Sequence, residues 1–160
     1  MATGINPAHL RQGIIRPVLQ KLDLWSQAAE NLLMGTAAQE SALGTYLTQI
    51  GGGPARGIYQ MEPATLDDCY TNYLDYRADL KAKVDAFLAA QPGKSDQLAT
   101  NNAYATAMCR IRYVRISAAL PDASDITGLG NYWKQYYNTP LGKGTVDEFI
   151  QNYQRYVGTA

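Results

Sequence analysis

Glu40 is the residue whose position most strongly suggests chemistry, because it ends an apolar stripe on a predicted helix. The stripe passes through Ala29, Leu33 and Thr36 at helical spacing. A glutamate at such a position is often solvated, one turn off the buried face. If its side chain is buried instead, lost hydration and the negative C-terminal end of its own helix both raise its pKa. A carboxyl group that stays protonated near neutral pH can donate a proton to a leaving glycosidic oxygen.

Two sequence blocks at and after Glu40 favour the catalytic interpretation. Ser41 comes next, and a glycine-rich loop, GGGPARG, leads into the sequence GIYQMEPAT at residues 57–65. This order resembles the soluble-lytic-transglycosylase family of the lysozyme-like superfamily. That family has a glutamate-serine pair at a helix end, then a segment close to glycine-leucine-methionine-glutamine, and then proline-alanine-threonine. The matching positions of the second block are Gly57, Gln60, Pro63, Ala64 and Thr65.

The resemblance also has departures. Tyr59 and Glu62 stand where the family usually has methionine. A third family block, tyrosine-asparagine-alanine-glycine, has a partial counterpart in Tyr137, Asn138 and Thr139. The three blocks nevertheless occur in the family's order along most of the chain.

The resemblance implies a lytic transglycosylase that cleaves the β-1,4 linkage between N-acetylmuramic acid and N-acetylglucosamine in peptidoglycan. Glu40 would protonate the glycosidic oxygen and then accept a proton from the sugar's own 6-hydroxyl, which closes an anhydro ring without water. The family's glutamine and tyrosine lie near the catalytic carboxyl, so these roles pass to Gln60 and Tyr137. The alternative for Gln60 is an amide that hydrogen-bonds the backbone of its own loop, and the alternative for Tyr137 is a tyrosine that packs in the core. The further substrate-binding residues that we expect are Ser41, Gly57 and Tyr59.

Glu62 leaves the reaction type open. A second carboxylate across a cleft could activate water and make the enzyme a hydrolase, which requires carboxyl groups ~6.5 to 9.5 Å apart for inversion or ~5 to 5.5 Å for retention. Glu62 also directly precedes Pro63, where a negative charge suits the start of a helix. Tyr59 is open in a similar way, because its ring could stack on a sugar or pack in the core.

Composition limits the partners that we expect. The 160 residues include 14 Lys and Arg and 14 Asp and Glu, so no overall field draws the chain to nucleic acid or acidic lipid. No apolar run approaches the ~20 residues that span a bilayer, and the first twenty residues lack the features of a secretory signal. We therefore expect a chain made in the cytoplasm, with no membrane span. No metal is expected, since His9 is alone and Cys69 and Cys109 read as two buried thiols. The reaction that the resemblance implies needs no cofactor.

The apolar pattern predicts a mainly α fold over residues 1–160, and the resemblance implies that this is a single lysozyme-like domain. Only the segment near residues 43–60 is expected to be irregular or a β-hairpin, because it is rich in glycine and contains a proline. One long central helix is predicted from about Ser95 to Ala119, and Pro17 is predicted to kink or split the first helix. Around the central helix, a solvated basic face is predicted from Arg110, Arg112 and Arg115.

Together with the family resemblance, the small size and the absence of a secretory signal and of a separate wall-binding module look similar to phage-encoded wall-degrading proteins, which are released at lysis or carried in the virion. The partners of this chain would be peptidoglycan glycan strands and other virion proteins. The alternatives are a hydrolytic muramidase and a phage virion structural protein that keeps the lysozyme-like fold without activity, since a fold does not dictate function.

Overall fold

The computed structural model describes residues 4–160, and this part of the chain is mainly helical, as predicted. The α-helices are α1 (Pro7–His9), α2 (Arg16–Lys21), α3 (Gln27–Ser41), α4 (Pro63–Asn72), α5 (Ala78–Asp85), α6 (Lys94–Thr100), α7 (Asn102–Val114), α8 (Ile126–Trp133) and α9 (Val146–Asn152). Wider π-helical turns follow α1, α8 and α9, and they span Leu10–Ile15, Lys134–Asn138 and Tyr153–Val157. A 3-10 turn occupies Leu74–Tyr76.

The first helical region is interrupted ahead of Pro17, as the sequence predicts. A π-helical turn joins α1 to α2, and at its end the amide of Arg16 bonds the carbonyl of Arg11, five residues earlier. Pro17 then lies in the first turn of α2. The first turn of a helix tolerates the missing N–H of proline. The π-helical turn therefore ends where α2 begins, and the chain continues as a helix through Pro17.

The predicted apolar stripe lies on α3, whose two ends are both well defined. Ser26 caps the start, where its hydroxyl accepts the N–H of Ala29 at 3.0 Å. Ala29, Leu33 and Thr36 are fully buried. Residues 42–44 have left-handed backbone angles, with φ of 50°, 56° and 87°, so the helix ends abruptly.

The central helix is shorter than predicted. The sequence predicts one helix from about Ser95 to Ala119, whereas α6 and α7 are separate and α7 ends at Val114. Asn101 divides them, because its side chain accepts the N–H of Tyr104 at 3.0 Å and donates to the carbonyl of Phe87 at 2.8 Å. The core role of α7 is confirmed, since it contributes to both hydrophobic clusters of the described residues.

The segment near residues 43–60 is irregular, and the described chain contains no regular strand. Isolated antiparallel bridges pair Arg56 with Thr48 and with Met61. Gly57 turns the chain with φ of 79°, and a Cβ there would overlap the carbonyl of Leu98. Glycine is therefore required at this position.

Residues 4–160 contain no helix that is long and apolar enough to cross a membrane. The same residues bring together no group of His, Cys, Asp and Glu side chains suited to a metal ion. Cys69 and Cys109 are buried free thiols, as predicted.

A buried carboxylate, Glu30, ties the start of α3 to the first helical region. It accepts hydrogen bonds from Arg11 at 2.6 Å and from Arg16 at 2.6 and 3.0 Å. Trp25 and Gln27 donate to it at 3.0 and 2.9 Å. Burial acts to raise the pKa of Glu30, but these bonds outweigh burial and hold the pKa at about 2.

Replacing Glu30 by Gln should lower the free energy of unfolding by ~3 to 5 kcal/mol at neutral pH, because buried Arg11 loses its counter-charge. A depressed folded-state pKa means that this stability is present above the usual value of 4.5 and is lost as the pH falls toward 2. Urea unfolding at pH 7 and pH 3 measures the effect. The difference in free energy of unfolding between wild type and variant should be smaller at pH 3 than at pH 7. An equal difference at both pH values would show that the charge of Glu30 is not the source of the stability.

Candidate active site

Glu40 lines a cleft of about 620 Å³, which we call the Glu40 cleft. Three chain segments, 46–55, 60–62 and 137–144, and three helices, α3, α4 and α7, contribute to its lining. The remaining lining residues are Tyr46, Thr48, Gln49, Ile50, Ala55, Gln60, Glu62, Thr65, Arg112, Tyr137, Asn138, Thr139, Gly142, Lys143 and Gly144. A mainly polar lining beside one carboxyl group suits a ligand that is rich in hydroxyl and amide groups.

The Glu40 carboxyl is held by an indole. Trp133, the last residue of α8, donates its Nε1–H to Oε2 of Glu40 at 2.9 Å. Burial raises the pKa of Glu40 to about 7, although the bond from Trp133 and the charge of Arg112 both act to lower it. The carboxyl is therefore divided between its protonated and ionised forms at neutral pH, as a general acid and base requires.

Close packing of three helices places Trp133 beside Glu40. The ring of Phe149, on α9, stacks on the Trp133 indole with 5.5 Å between centroids. Phe149 also lies against Gly35 on α3 and Gly130 on α8, and a Cβ at Gly35 would overlap its ring. These glycines let the three helices approach one another around the C-terminal end of α3.

Ser41 lies in the core next to Glu40 rather than in the cleft lining. Its side chain is buried. Its hydroxyl donates to the carbonyl of Ile58 at 2.6 Å, and the carbonyl of Ala37 is a second, more distant acceptor at 3.1 Å. The same oxygen accepts the N–H of Gly44 at 2.8 Å. Ser41 thus joins the end of α3 to the segment that follows the glycine-rich loop, and direct substrate contact would require it to break these bonds.

Residues 57–60, which we call the GIYQ segment, present one side chain to the cleft. Gln60 lines it, with φ of 48°, and its amide donates to the carbonyl of Gly57 at 2.9 Å. Gly57 acts through its backbone, which shapes this turn. Tyr59 points into the core, where its hydroxyl pairs with that of Thr106 at 2.8 Å. Of the two alternatives for Tyr59, the observed position corresponds to packing.

Tyr137 lines the cleft, but its hydroxyl is turned toward the protein. The hydroxyl donates to the carbonyl of Tyr59 at 2.7 Å, and the ring stacks on Tyr113 at 5.2 Å. Tyr137 therefore gives residues 57–60 a second hydrogen bond to the core, beside the one from Ser41. Its hydroxyl is engaged in that bond and is not free for a ligand.

Arg112 is a site residue that the sequence does not reveal. The prediction of a solvated basic face is wrong for Arg110, which is buried and donates to the carbonyl of Leu24 at 3.1 Å. Arg112 lines the cleft, donates to the carbonyl of Tyr137 at 2.6 Å and lies 4.4 Å from the centre of its ring. Its role, like that of Trp133, depends on contacts between distant parts of the chain, which no local pattern signals.

Glu62 also lines the cleft, and its side chain is exposed. It is the residue before the first turn of α4, and its side chain makes no capping hydrogen bond there. A carboxylate at this position is favoured by the positive end of the helix. Glu62 therefore satisfies the helix-start interpretation and is also available to the cleft.

Replacing Glu40 by Gln should stabilise the protein by about 1 to 2 kcal/mol at pH 8, because the shape is kept and the unfavourable buried charge is removed. A raised folded-state pKa means that wild type loses stability relative to the variant as the pH rises from 4.5 to about 7. Thermal melting of both proteins from pH 4 to pH 8 should show the advantage of the variant growing with pH. A variant that is less stable than wild type at pH 8 would show that Glu40 is a paired structural carboxylate.

Comparisons with known protein families, curated proteins and solved structures find no match for this chain.

Proposed function

We propose that this chain is a lysozyme-like enzyme that cleaves peptidoglycan glycan strands by lytic transglycosylation, with Glu40 as its catalytic acid. The observation that carries the proposal is a pKa of about 7 for a glutamate that lines a cleft of about 620 Å³. A single group that can hold or release a proton at neutral pH can act as acid and then as base. The position of Glu40, at the end of α3 and joined through Ser41 to the GIYQ segment, supports the resemblance in block order.

The proposed reaction needs one carboxyl group and no cofactor. Glu40 gives its proton to the glycosidic oxygen as the bond from that oxygen to C1 of N-acetylmuramic acid breaks. The carboxylate that results stabilises the positive charge that develops at C1. The 6-hydroxyl of the same sugar then bonds to C1 and returns its proton to Glu40. The products are a free 4-hydroxyl and a 1,6-anhydro ring, so no water is consumed.

The cleft offers groups that suit such a strand. Uncharged polar side chains from all three lining segments face it, which matches the hydroxyl and acetamido groups of the sugars: Thr48, Gln49, Gln60, Asn138 and Thr139. On this proposal the wall is reached from a phage particle or at lysis, and other virion proteins are further partners.

Hydrolysis is the second candidate, and Glu62 is the observation that favours it. Glu40 and Glu62 are the carboxylates among the described residues that line the cleft. A hydrolase would use Glu62 to activate water or to attack C1, whereas a transglycosylase needs neither step. The two reactions differ in mass, because hydrolysis adds one water at each cut.

The first test is digestion of purified peptidoglycan followed by mass spectrometry of the fragments. We expect clearing of the suspension and fragments with anhydro ends. Glu40→Gln should reduce the rate of clearing by at least ~10² to 10⁴, the usual contribution of a positioned acid. Reducing-end sugars alone would refute transglycosylation, while a Glu40→Gln variant as fast as wild type would refute the active site. Absence of clearing by wild type would favour a structural virion protein.

Glu62→Gln separates the two candidate reactions in a protein of nearly unchanged shape. For a transglycosylase we expect clearing within about threefold of the wild-type rate and the same anhydro products, because Glu62 takes part in no proton transfer. A loss comparable to that of Glu40→Gln, near ~10² or more, would identify Glu62 as the second carboxylate of a hydrolase. The exposed Glu148→Gln, on α9, is the matched control.

A further inference from the structure

The Glu40 carboxyl meets one fixed hydrogen-bond donor among residues 4–160, the indole of Trp133. We propose that Trp133 is a positioning residue that fixes Glu40 so that Oε1 carries the transferable proton and directs it into the cleft. The inference rests on the proposed function for the destination of that proton. The placement of the proton can be tested without any substrate.

The indole is held too firmly to follow the carboxyl. Trp133 is fully buried and stacks on Phe149. A Cβ at Gly144 would lie 2.6 Å from its six-membered ring, so the loop after α8 closes tightly over it. If Glu40 rotated away, the buried N–H would be left without an acceptor, which is costly in a protein interior. The indole therefore sets the orientation of the carboxyl.

The two carboxyl oxygens have different surroundings. Oε2 accepts a hydrogen bond from the indole N–H. In the neutral acid Oε2 is therefore the carbonyl oxygen, and Oε1 is the hydroxyl oxygen that carries the proton. No described residue donates to Oε1, and Oε1 is not among the buried side-chain atoms that lack a partner. It follows that Oε1 is open to the cleft. A proton on Oε1 is thus directed at a bound ligand.

Other charged or titratable groups surround Glu40. The positive charge of Arg112, on α7, acts to lower the pKa of Glu40. The Cys109 thiol and the hydroxyls of Tyr113 and Tyr137 are also near, and burial raises the pKa of each. Glu62 and Lys143 also line the cleft. A test must therefore separate the titration of Glu40 itself from that of these neighbours, and Glu40→Gln provides this separation.

The chain supplies an internal control, because it has two tryptophans and both donate to a glutamate of α3. Trp25 bonds Glu30, whose pKa is about 2, and Trp133 bonds Glu40, whose pKa is about 7. In a nitrogen-proton correlation spectrum of the wild-type protein, each indole N–H gives one signal. We expect the Trp133 signal to move between pH 5 and pH 9 with a midpoint near 7, while the Trp25 signal stays constant.

The midpoint near 7 should vanish from the Trp133 signal in Glu40→Gln. A Trp133 signal that stays constant in wild type, or one that titrates equally in Glu40→Gln, would overturn the inference. This measurement uses wild type as its main sample, so it does not depend on how a Trp133 variant folds. It also tests the hydrogen bond between Trp133 and Glu40 whether or not the protein cleaves peptidoglycan, so its failure differs from failure of the proposed function.

Trp133→Phe tests the positioning role in the reaction, with Trp25→Phe as the matched control. At pH 5 Glu40 is protonated in both wild type and Trp133→Phe, so a change in rate there reports orientation rather than protonation. We expect the clearing rate of Trp133→Phe to fall ~10-fold to 100-fold at pH 5, because the Glu40 carboxyl is no longer held in the orientation that directs its proton into the cleft. Loss of a bond that favours the carboxylate should also move the alkaline limb of its pH profile upward.

Trp25→Phe should keep the wild-type pH profile, because Trp25 acts on Glu30 and not on the cleft. A folded Trp133→Phe with the wild-type rate at pH 5 would overturn the positioning role. A Trp133→Phe profile that moves upward without loss of rate at pH 5 would likewise overturn it, since Trp133 would then only adjust the acidity of Glu40.

Discussion

Phe149 packs where Gly35 on α3 and Gly130 on α8 leave room for its ring, and the rest of the site depends on this packing. The ring supports the Trp133 indole, and the indole in turn supports the Glu40 carboxyl. A side chain at Gly35 would push α9 away from α3 and remove that support. The chemistry at the end of α3 is therefore set by the distance between helices, which the small residues control.

Glu30 and Glu40 show how one helix can hold a buried and a half-buried glutamate with very different pKa values. Both accept an indole N–H, yet the pKa of Glu30 is about 2 and that of Glu40 about 7. Two guanidinium groups bond Glu30, in the first turn of α3 near the positive end of the helix. Glu40 lies at the negative end and meets Arg112 only through its longer-range charge. The number of bonded cations and the helix polarity together account for the difference.

Local patterns predicted the parts of the structure that local physics determines. The buried stripe on α3, the interruption ahead of Pro17 and the irregular segment near residues 43–60 each follow from periodicity or from glycine and proline. The break at Asn101 was missed, because that residue reads as helical until its bond to Phe87 is known. Trp133 and Arg112 were missed for the same reason, since their partners lie far away in sequence. Glu40 stood out because an ionisable residue ends an apolar stripe, and the sequence blocks that follow it favoured the catalytic interpretation.

The hydrogen bonds of Ser41 and Tyr137 give the parts of the cleft different stiffness. Both hydroxyls bond carbonyls of consecutive residues, Ile58 and Tyr59, so this segment is tied to the core at two points. Ile50, which also lines the cleft, is 75% exposed and has little packing to hold it in place. On the proposed function, a polymer would be admitted by movement of the segment around Ile50, while the two hydrogen bonds keep residues 58 and 59 fixed. Peptidoglycan strands with different side groups would then share one set of reacting groups.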